Sequence, residues 1–418
     1  MKVIILNTYD IQGGAARAAY RLHKGLEEIG VDSRMLVQYK FGDDPTVSGP
    51  ATKFAKGLAL MRPMLDALMV ELYRNRSHVI FSPAVLPSGV RKKVSTMDPD
   101  IIHMQWVAGG FLRIETLGRF KKPLVWTLQD SWPFTGGCHI PFDCTRYRSD
   151  CGRCPILGSS RECDLSRMIW KRKKKTLRKL NLTIVTPSRW MAGCARSSSL
   201  LGDFRIEVIP NGLDVNFFRP KHKATAREFL SLPQDKKLII FGAVNSTSDR
   251  NKGFHLLLQA LRELSRTGLA EKTELVVFGA SEPADAAAFG IKAHYMGRSI
   301  DDFTISTLYA ASDVFVMPSI QDNFPNTVLE AFACGVPVVA FDAAGAPDMV
   351  EHQINGYLAR PFDTKDFAQG IAWILTDPER TEKLGMAARD KAVKQYSVDL
   401  QAKRYLNLYE EILARKRI

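Results

Sequence analysis

Short apolar segments alternate with longer amphipathic segments along the whole chain. This alternation is typical of parallel β-sheets whose strands are joined by crossover helices. It predicts strands at residues 2–6, 33–38, 101–104, 124–128 and 182–186 in the first half, and at 237–241, 274–278, 314–317 and 336–341 in the second. Helices are expected between them, among others at residues 15–29, 165–180 and 254–265. The pattern therefore predicts two doubly wound α/β sheets, one in each half of the chain.

A segment rich in turn residues separates the two halves. Residues 209–220, IPNGLDVNFFRP, contain two prolines and an Asn-Gly pair, which mark a boundary. We expect an N-terminal domain over residues 1–210, a C-terminal domain over 211–395, and a last helix over 396–418 that packs back on the first domain. Two such domains facing a central cleft would place the carboxyl ends of their strands there, where ligands of open α/β sheets bind.

The composition is that of a soluble globular protein. The 418 residues are 45% hydrophobic and 24% charged, which excludes collagen-like, low-complexity and mostly disordered classes. The longest uncharged apolar run, residues 331–341, is too short for the roughly 20 residues of a membrane-spanning helix. The first residues, MKVIILNTYD, are typical of a strand and not of a signal peptide, so we expect a cytoplasmic location.

The net charge of +14 belongs to the first half. Residues 1–210 contain 33 Lys and Arg against 18 Asp and Glu, whereas residues 211–418 contain 25 against 26. The excess indicates contact with a polyanion, either nucleic acid or an anionic membrane, or else a solvated basic surface. Its densest part is KRKKK at residues 171–175. Residues 57–73, rich in Leu and Met, fit an interfacial helix or lipid groove as well as a core helix.

Two glycines follow the first predicted strand. Gly13 and Gly14 precede a predicted helix, where missing Cβ atoms and a helix N-terminus suit a phosphate or a sugar. A plain tight turn is the alternative. The spacing differs from the dinucleotide fingerprint G-x-G-x-x-G, which disfavours a dinucleotide-dependent oxidoreductase.

Residues 318–337, PSIQDNFPNTVLEAFACGVP, carry the most specific pattern. A polar loop with Asp322 follows a strand, and a short helix is expected to begin at Asn326 or Thr327, either of which can cap it, with Glu330 in its first turn. Amides at a helix N-terminus can hold a diphosphate, and a nearby carboxylate can accept hydrogen bonds from ribose or sugar hydroxyls.

The two acids and the AFACGVPVVA that follows resemble the E-x7-E signature of the retaining glycosyltransferases of family 4, or group 1, which have the GT-B fold. Further marks of that family occur in order: Gly13-Gly14, TPSRW at 186–190, IPNGLD at 209–214 and RNKG at 250–253. The resemblance covers nearly the whole chain. It implies two Rossmann-like domains facing a cleft, a nucleotide sugar held by the second domain, and no metal at the reaction centre.

The resemblance also implies roles for individual residues. Glu330 would bind the ribose and Asp322 the hydroxyls of the donor sugar. Arg250 and Lys252 would neutralise the diphosphate, whose negative charge grows as the glycosidic bond breaks. The other donor-binding positions are expected at Gly13, Gly14, Asn323, Phe324, Pro325, Asn326 and Thr327.

Three positions depart from the family pattern. The first acid is Asp322 instead of Glu, and Ala243 occupies a position where the family has Arg, so that Arg250 would substitute. In WTLQDSWPFTGGC, residues 126–138, Gln129 replaces a His, and an amide cannot exchange protons. We expect Gln129 to position substrate and Asp130 to hold the loop or a substrate hydroxyl, and these two residues with Glu330 form the expected catalytic set.

Four cysteines lie within 17 residues, at Cys138, Cys144, Cys151 and Cys154. The CGRC part has the knuckle spacing of zinc ribbons, and four thiolates, or three with His139, could close a tetrahedral structural zinc site. Reduced thiols, a facultative disulfide and an iron–sulfur cluster are the alternatives, because seven cysteines are too few for a disulfide scaffold.

The expected function is transfer of a sugar from a nucleotide sugar to a saccharide or polyprenyl-linked acceptor, as in bacterial surface polysaccharide synthesis at the inner face of the cytoplasmic membrane. A lipid diphosphate acceptor and peripheral contact with anionic lipid would explain the basic first half. His103 is an acceptor-site candidate, with a satisfied core histidine as the alternative. The alternative function is a basic nucleic-acid-binding protein with a zinc module, which leaves the acid pair unexplained; the main interpretation includes no nucleic acid.

Overall fold

The computed structural model describes residues 1–242, 247–280, 290–297 and 301–415. The chain forms two compact units: an N-terminal unit of Met1–Asn211 with Asp399–Ile418, and a C-terminal unit of Gly212–Val398. Each contains one parallel sheet with helices, so the expected α/β class with two Rossmann-like domains is confirmed. Within the four described ranges, no helix is both long and apolar enough to cross a membrane.

The sheet of the N-terminal unit has seven parallel strands in the order β3-β2-β1-β4-β5-β6-β7. Its central strands are buried on both faces, which explains their continuous apolar sequences. The strands are β1 Lys2–Tyr9, β2 Asp32–Tyr39, β3 Val47–Ser48, β4 Ile101–Met104, β5 Leu124–Thr127, β6 Leu182–Thr186 and β7 Arg205–Val208.

Six helices cover this sheet. They are α1 Gly14–Glu28, α2 Lys53–Glu71, α3 Val90–Met97, α4 Leu165–Leu177, α5 Arg189–Ser197 and, from the end of the chain, α13 Val398–Arg415. Tyr405 and Tyr409 of α13 are fully buried in the same core as β1. The Tyr405 hydroxyl lies 2.7 Å from Thr127 Oγ1 on β5, so the terminal helix belongs to the N-terminal unit.

The sheet of the C-terminal unit has six described strands, all parallel, in the order β10-β9-β8-β11-β12-β13. They are β8 Lys237–Gly242, β9 Thr273–Phe278, β10 Ala293–Tyr295, β11 Val314–Met317, β12 Val338–Phe341 and β13 Gly356–Ala359. The helices are α6 Lys223–Phe229, α7 Phe254–Ser265, α8 Asp302–Ala311, α9 Asn326–Ala333, α10 Ala346–Met349, α11 Thr364–Leu375 and α12 Pro378–Tyr396. Apolar clusters fill both faces of the sheet.

The basic run at residues 171–175 differs from a wholly solvated helix face. It lies on α4, which ends at Leu177 and not at residue 180. Lys173 is fully buried, its Nζ donates to the carbonyls of Trp132 and Thr135, and burial lowers its pKa to about 7. Arg172 pairs with Glu115 at 2.7 Å. Two of the five basic side chains are therefore held by contacts within the N-terminal unit instead of facing a polyanion, Lys173 by the loop after β5 and Arg172 by Glu115.

Candidate functional site

The order of the strands reverses at one point in each sheet, between β1 and β4 and between β8 and β11. In open α/β sheets, ligands bind beyond the carboxyl ends of the strands at such points. The expected donor residues of the C-terminal unit follow β8 and β11, whereas Gly13 and Gly14, also expected to bind the donor, follow β1, and Gln129 and Asp130 follow β5. Each set therefore lies at the binding edge of its own sheet.

An ion pair joins the loops after β8 and β11. Lys252 Nζ lies 2.9 Å from Asp322 Oδ2, and both side chains are partly exposed. The Asp322 carboxylate raises the pKa of Lys252, against the opposing effect of burial. The exposed Arg250 lies in the same single turn of 3-10 helix, Arg250–Lys252. Ala243, where the family has its Arg, lies outside the described residues.

Asn251 fixes the two loops to each other. Its side chain donates to the carbonyl of Gln321 at 2.8 Å and accepts from the amide of Gln321 at 3.1 Å. Two residues after Asn251, Gly253 has φ of 73°, and a Cβ there would lie 1.8 Å from the carbonyl oxygen of Pro318. Only glycine permits this approach, which holds Lys252 beside Asp322.

The helix α9 follows the Asp322 loop and begins at Asn326, but its cap differs from the expectation. Pro325 occupies the N-cap position, and its side chain has no acceptor for the first amides. Glu330 lies in the second turn instead of the first and is only 3% exposed. The helix ends at Ala333 with Cys334 as its C-cap, followed by Gly335 with φ of 76°. Asn323 and Phe324 are buried beside it, and Thr327 is half-buried.

In the N-terminal unit, β1 extends through Tyr9, beyond the predicted residue 6. The turn to α1 is correspondingly shorter. Gly13 is the N-cap of α1 with φ of 89°, a left-handed conformation that favours glycine, and no atom lies within 4 Å of a Cβ built there. The turn therefore leaves open space at the helix N-terminus, as an approaching ligand requires.

Gln129 is half-buried at the carboxyl end of β5. Its Nε2 donates to Gln105 Oε1 at 2.9 Å and lies 3.5 Å from Asn211 Oδ1. Gln105 follows β4, the neighbouring strand, so the amide group is held by the binding edge of the sheet.

Asp130 is the centre of a hydrogen-bond network. Trp106 Nε1 and His139 Nδ1 each lie 2.6 Å from Asp130 Oδ2, and the amide of Trp132 donates to Oδ1 at 2.9 Å. Burial alone raises the pKa of Asp130, but His139 and these donors hold the pKa below its ordinary value. Ser82 Oγ lies 2.9 Å from the other ring nitrogen of His139. The arrangement suits the loop-holding role expected of Asp130.

Trp106 was not predicted as a site residue, and the contacts of His139 differ from the predicted ones. His139 contacts Asp130 and Ser82, which corrects the suggestion that it replaces a thiol as metal ligand. Trp106 follows β4 at the same sheet edge, so the Gln105-Trp106 pair directly after an apolar strand was the available signal.

His103 is a core residue and not an acceptor ligand. Its side chain is fully buried on β4, with Nδ1 2.7 Å from the Tyr409 hydroxyl and Nε2 2.7 Å from Thr127 Oγ1. Burial lowers its pKa to about 3. Because both ring nitrogens are occupied inside the unit, the acceptor-site prediction for His103 is wrong and its alternative, a satisfied core histidine, is correct.

The four loop cysteines are neighbours but are not at coordination distance. Cys138, Cys151 and Cys154 are buried, and Cys144 is half-buried. Burial and the surrounding thiols raise the pKa of Cys151 to about 12. The amide of Gly136 donates to the Cys151 sulfur at 3.1 Å and has the opposite, smaller effect of lowering this pKa. Over the described chain, no three of these sulfurs lie within 4.8 Å of one another.

The helix α2, which includes most of residues 57–73, exposes an apolar face. Only Ala59, Asp66 and Val70 of this helix are buried. The exposed large apolar side chains, on α2 and directly after it, are Phe54, Leu58, Leu60, Met61, Met64, Leu68, Met69 and Leu72. The alternative of a core helix is therefore wrong for most of its surface.

Two family models match the chain, one in each half. The model described as Glycosyltransferase Family 4 matches residues 12–217, and the model described as Glycosyl transferases group 1 matches residues 223–391. The putative colanic acid biosynthesis glycosyl transferase WcaC of Escherichia coli K12 is 26% identical over 371 residues, which are 84% of this chain and 85% of that protein. A D-inositol 3-phosphate glycosyltransferase of Saccharomonospora viridis is 30% identical over 223 residues, about half of each chain.

Solved structures share the fold over the full length. Sucrose-phosphate synthase of Thermosynechococcus elongatus has a TM-score of 0.71 at 19% identity and covers 99% of this chain and 100% of its own. HepE of Anabaena, in complex with UDP and glucose, has a TM-score of 0.65 at 18% identity and covers 98% and 100%. At these identities the likeness concerns the fold alone.

Proposed function

This chain belongs to the family 4, group 1 glycosyltransferases, and from that membership we propose that it transfers a sugar from a nucleoside diphosphate to a saccharide acceptor, with retention of anomeric configuration. The observation that carries the proposal is the Lys252–Asp322 pair beside the N-terminus of α9, with Glu330 buried in that helix. It combines cations, helix amides and carboxylates at one sheet edge, the chemistry that a nucleoside diphosphate requires.

Each donor residue has a role that follows from its chemistry. The departing diphosphate gains negative charge, so Lys252 and the exposed Arg250 stabilise the transition state more than the ground state. The N-terminus of α9, where Pro325 offers no side-chain cap, binds a phosphate through its amides. Glu330 accepts from the ribose hydroxyls, and Asp322 accepts from the donor sugar when Lys252 turns to the diphosphate.

The N-terminal unit contributes the acceptor side in this proposal. Gln129, held by Gln105, donates to and accepts from substrate hydroxyls without taking a proton. Deprotonation of the acceptor is then assisted by the leaving diphosphate, which is consistent with retention. Asp130 keeps Trp106 and the loop after β5 in place.

The names of relatives support the pathway class. WcaC is described as acting in colanic acid biosynthesis, and a Campylobacter jejuni relative, 32% identical over 36% of this chain, is named for a diphospho-undecaprenol acceptor. HepE binds UDP and glucose in one solved structure and UDP-glucose in another. We therefore propose a nucleotide sugar and a lipid-linked saccharide as substrates in surface polysaccharide assembly.

A panel of nucleotide sugars tests this proposal. We expect one of them to raise the melting temperature of the purified chain, since a ligand that binds only the folded state stabilises it, and to yield a product whose anomeric configuration equals the donor's. A chain that shifts DNA or RNA in a salt-dependent way and responds to no nucleotide sugar would favour the nucleic-acid alternative.

We also propose that the four loop cysteines bind one structural zinc ion. Four cysteine sulfurs are a donor set that suits zinc. The hydrogen bond from the Gly136 amide to the Cys151 sulfur is of the kind that stabilises a thiolate. Zinc binding requires the four sulfurs to lie closer together than they do in the structure. Elemental analysis should find one zinc per chain and none after Cys151→Ser and Cys154→Ser together; metal-free wild-type protein purified without chelator would reject the site.

A further inference from the structure

A pocket in the N-terminal unit is lined by none of the expected donor residues and by neither Gln129 nor Asp130. Its volume is about 310 Å³, and it lies between the end of β2, the first half of α2 and the N-terminus of α3. Apolar side chains such as Leu58, Val90 and Phe111 form part of its wall. The polar side chains of the wall include Gln38, Arg62, Ser88 and Lys93.

Gln38 offers an acceptor that the protein does not use. The residue is 5% exposed, and its Nε2 donates to the carbonyl of Gly109 at 3.0 Å. Its Oε1, like Ser88 Oγ in the same wall, has no hydrogen-bond partner in the part of the chain that the structure describes. Because an unpartnered buried polar atom destabilises the folded chain, a ligand that brings hydroxyl groups would recover free energy by donating to it.

The charge of the wall selects an anion. It contains two cations, Arg62 and Lys93, and no carboxylate among its described residues. Arg62 is fixed by two carbonyls, donating from Nε to Gly110 and from Nη2 to Pro87, each at 2.7 Å. The eight-residue α3 begins at Val90 after Gly89, which has no side chain to cap the helix, so its N-terminus adds positive potential.

The pocket is connected to the Asp130 network and to the apolar face of α2. Gly109, which accepts the hydrogen bond from Gln38, lies against the Trp106 ring, since a Cβ built on Gly109 would be 3.5 Å from it. Trp106 in turn donates a hydrogen bond to Asp130. On the other side, Leu58 belongs both to the pocket wall and to the exposed apolar side chains of α2. A ligand here would therefore have a polar end near Trp106 and an apolar surface beside it.

We propose that this pocket binds the phosphorylated saccharide head of an amphiphilic acceptor. Gln38 Oε1 and Ser88 Oγ accept from sugar hydroxyls, and Arg62, Lys93 and the N-terminus of α3 bind the phosphate. The apolar face of α2 contacts the attached chain. This assignment rests on the proposed function, because it names the site at which the acceptor of that transfer is held.

Calorimetric titration of the full chain tests the pocket with three probes: inorganic phosphate, N-acetylglucosamine 1-phosphate, and the same sugar linked through a diphosphate to a citronellyl chain. We expect affinity to rise in that order. Gln38→Leu and Lys93→Gln should each weaken binding of the sugar phosphate by about tenfold, the scale of one lost hydrogen bond to a charged or buried group. Lys92→Gln, the matched exposed lysine on α3, should bind as the unaltered chain does.

Three outcomes would overturn the assignment: equal affinity for phosphate and sugar phosphate, unchanged affinity in both variants, or binding of none of the probes by the unaltered chain. Lys93 is exposed, so its variant separates lost binding from lost folding. Titration of UDP, GDP and ADP into the same samples distinguishes the two proposals. If one of them binds but the pocket variants do not change the affinity for the sugar phosphate, the pocket alone is rejected, whereas a chain that binds none of the three rejects the proposed function.

Discussion

At the scale of single residues, Gln129 tests whether substrate positioning can replace a titratable group. Gln129→Ala should lower kcat/KM by about one to two orders of magnitude, the loss of one or two well-placed hydrogen bonds. Gln129→His should keep substantial activity, since imidazole can still donate and accept. Initial rates with the donor found in the panel measure both. Transfer by Gln129→Ala at the wild-type rate would place the residue outside the site.

His103 makes the stability of the folded chain sensitive to acid. Burial lowers its pKa to about 3 from an ordinary 6.5, so between these values the unfolded chain binds one more proton than the folded chain. Stability therefore falls as pH falls through this window, by about 1.4 kcal/mol per pH unit for this group. His23, whose pKa burial lowers to about 4, acts in the same direction.

Denaturant unfolding between pH 7 and pH 4 measures this effect. The stability advantage of the wild type over His103→Gln should shrink as the pH falls, because the variant has no ring to protonate. His78→Gln, at an exposed histidine, should follow the wild type. A wild-type advantage that stays constant over this range would contradict the burial of an uncharged His103.

The residues themselves show where sequence reasoning reached its limit. The family resemblance assigned Asp322, Glu330 and Lys252 to one donor site, and the loops that carry Lys252 and Asp322 follow the neighbouring strands β8 and β11. The position of His103 near the end of an apolar strand was consistent with a core residue as well as with a site residue. Its partner Tyr409 lies 306 residues away, so no local pattern could decide.

At the scale of elements, the turn at Gly253 should control donor binding. Gly253→Ala would force a Cβ to within 1.8 Å of the Pro318 carbonyl and strain a backbone with φ of 73°. We expect lower stability of the C-terminal unit and loss of nucleotide binding, because the Lys252–Asp322 pair depends on this approach. Gly268→Ala, where no atom lies within 4 Å, is the matched control for thermal unfolding. Equal stability of the two variants would disprove the packing argument.

The exposed face of α2 predicts peripheral membrane contact, which we propose for the N-terminal unit. Leu60 and Leu72 are 68% and 80% exposed, and Lys53 and Lys56 near the start of α2 are exposed as well. The chain should sediment with phosphatidylglycerol vesicles at low salt, and Leu60→Ser with Leu72→Ser should reduce this. Met386→Ser, at a comparably exposed residue of the C-terminal unit, should not. Absence of sedimentation even at low salt would remove the membrane proposal.

The elements predicted best are those buried on both faces. The bounds of β4, β6 and β11 agree with the sequence at both ends, because each of these short runs is bounded by a polar residue or a proline. The strand β7, RIEV, was missed, since it lies at the sheet edge, is half-buried and carries two charges. The cap of α9 was assigned to Asn326 or Thr327 because these residues usually cap, but the preceding proline has the extended conformation of that position.

At the scale of the whole molecule, two units of the same architecture divide the chemistry. In the proposal, the C-terminal unit holds the nucleotide and the more basic first half of the chain holds the acceptor. The charge difference between the halves was visible in the sequence, but part of it, such as Lys173, is structural. The last helix was expected to pack on the first domain, but no local pattern could identify its contact with β5, which joins residues 278 apart.

Binding of a nucleoside diphosphate by the intact chain tests the central claim most directly. Calorimetric titration with UDP, GDP and ADP should identify one that binds, and Glu330→Gln should weaken that binding by tenfold or more, since a hydrogen bond to a charged group contributes roughly 1.5–3 kcal/mol. Glu382→Gln, at an exposed carboxylate of the same unit, should leave the affinity unchanged. If none of the three binds the unaltered chain, or if Glu330→Gln binds as tightly as the wild type, the donor site described here is wrong.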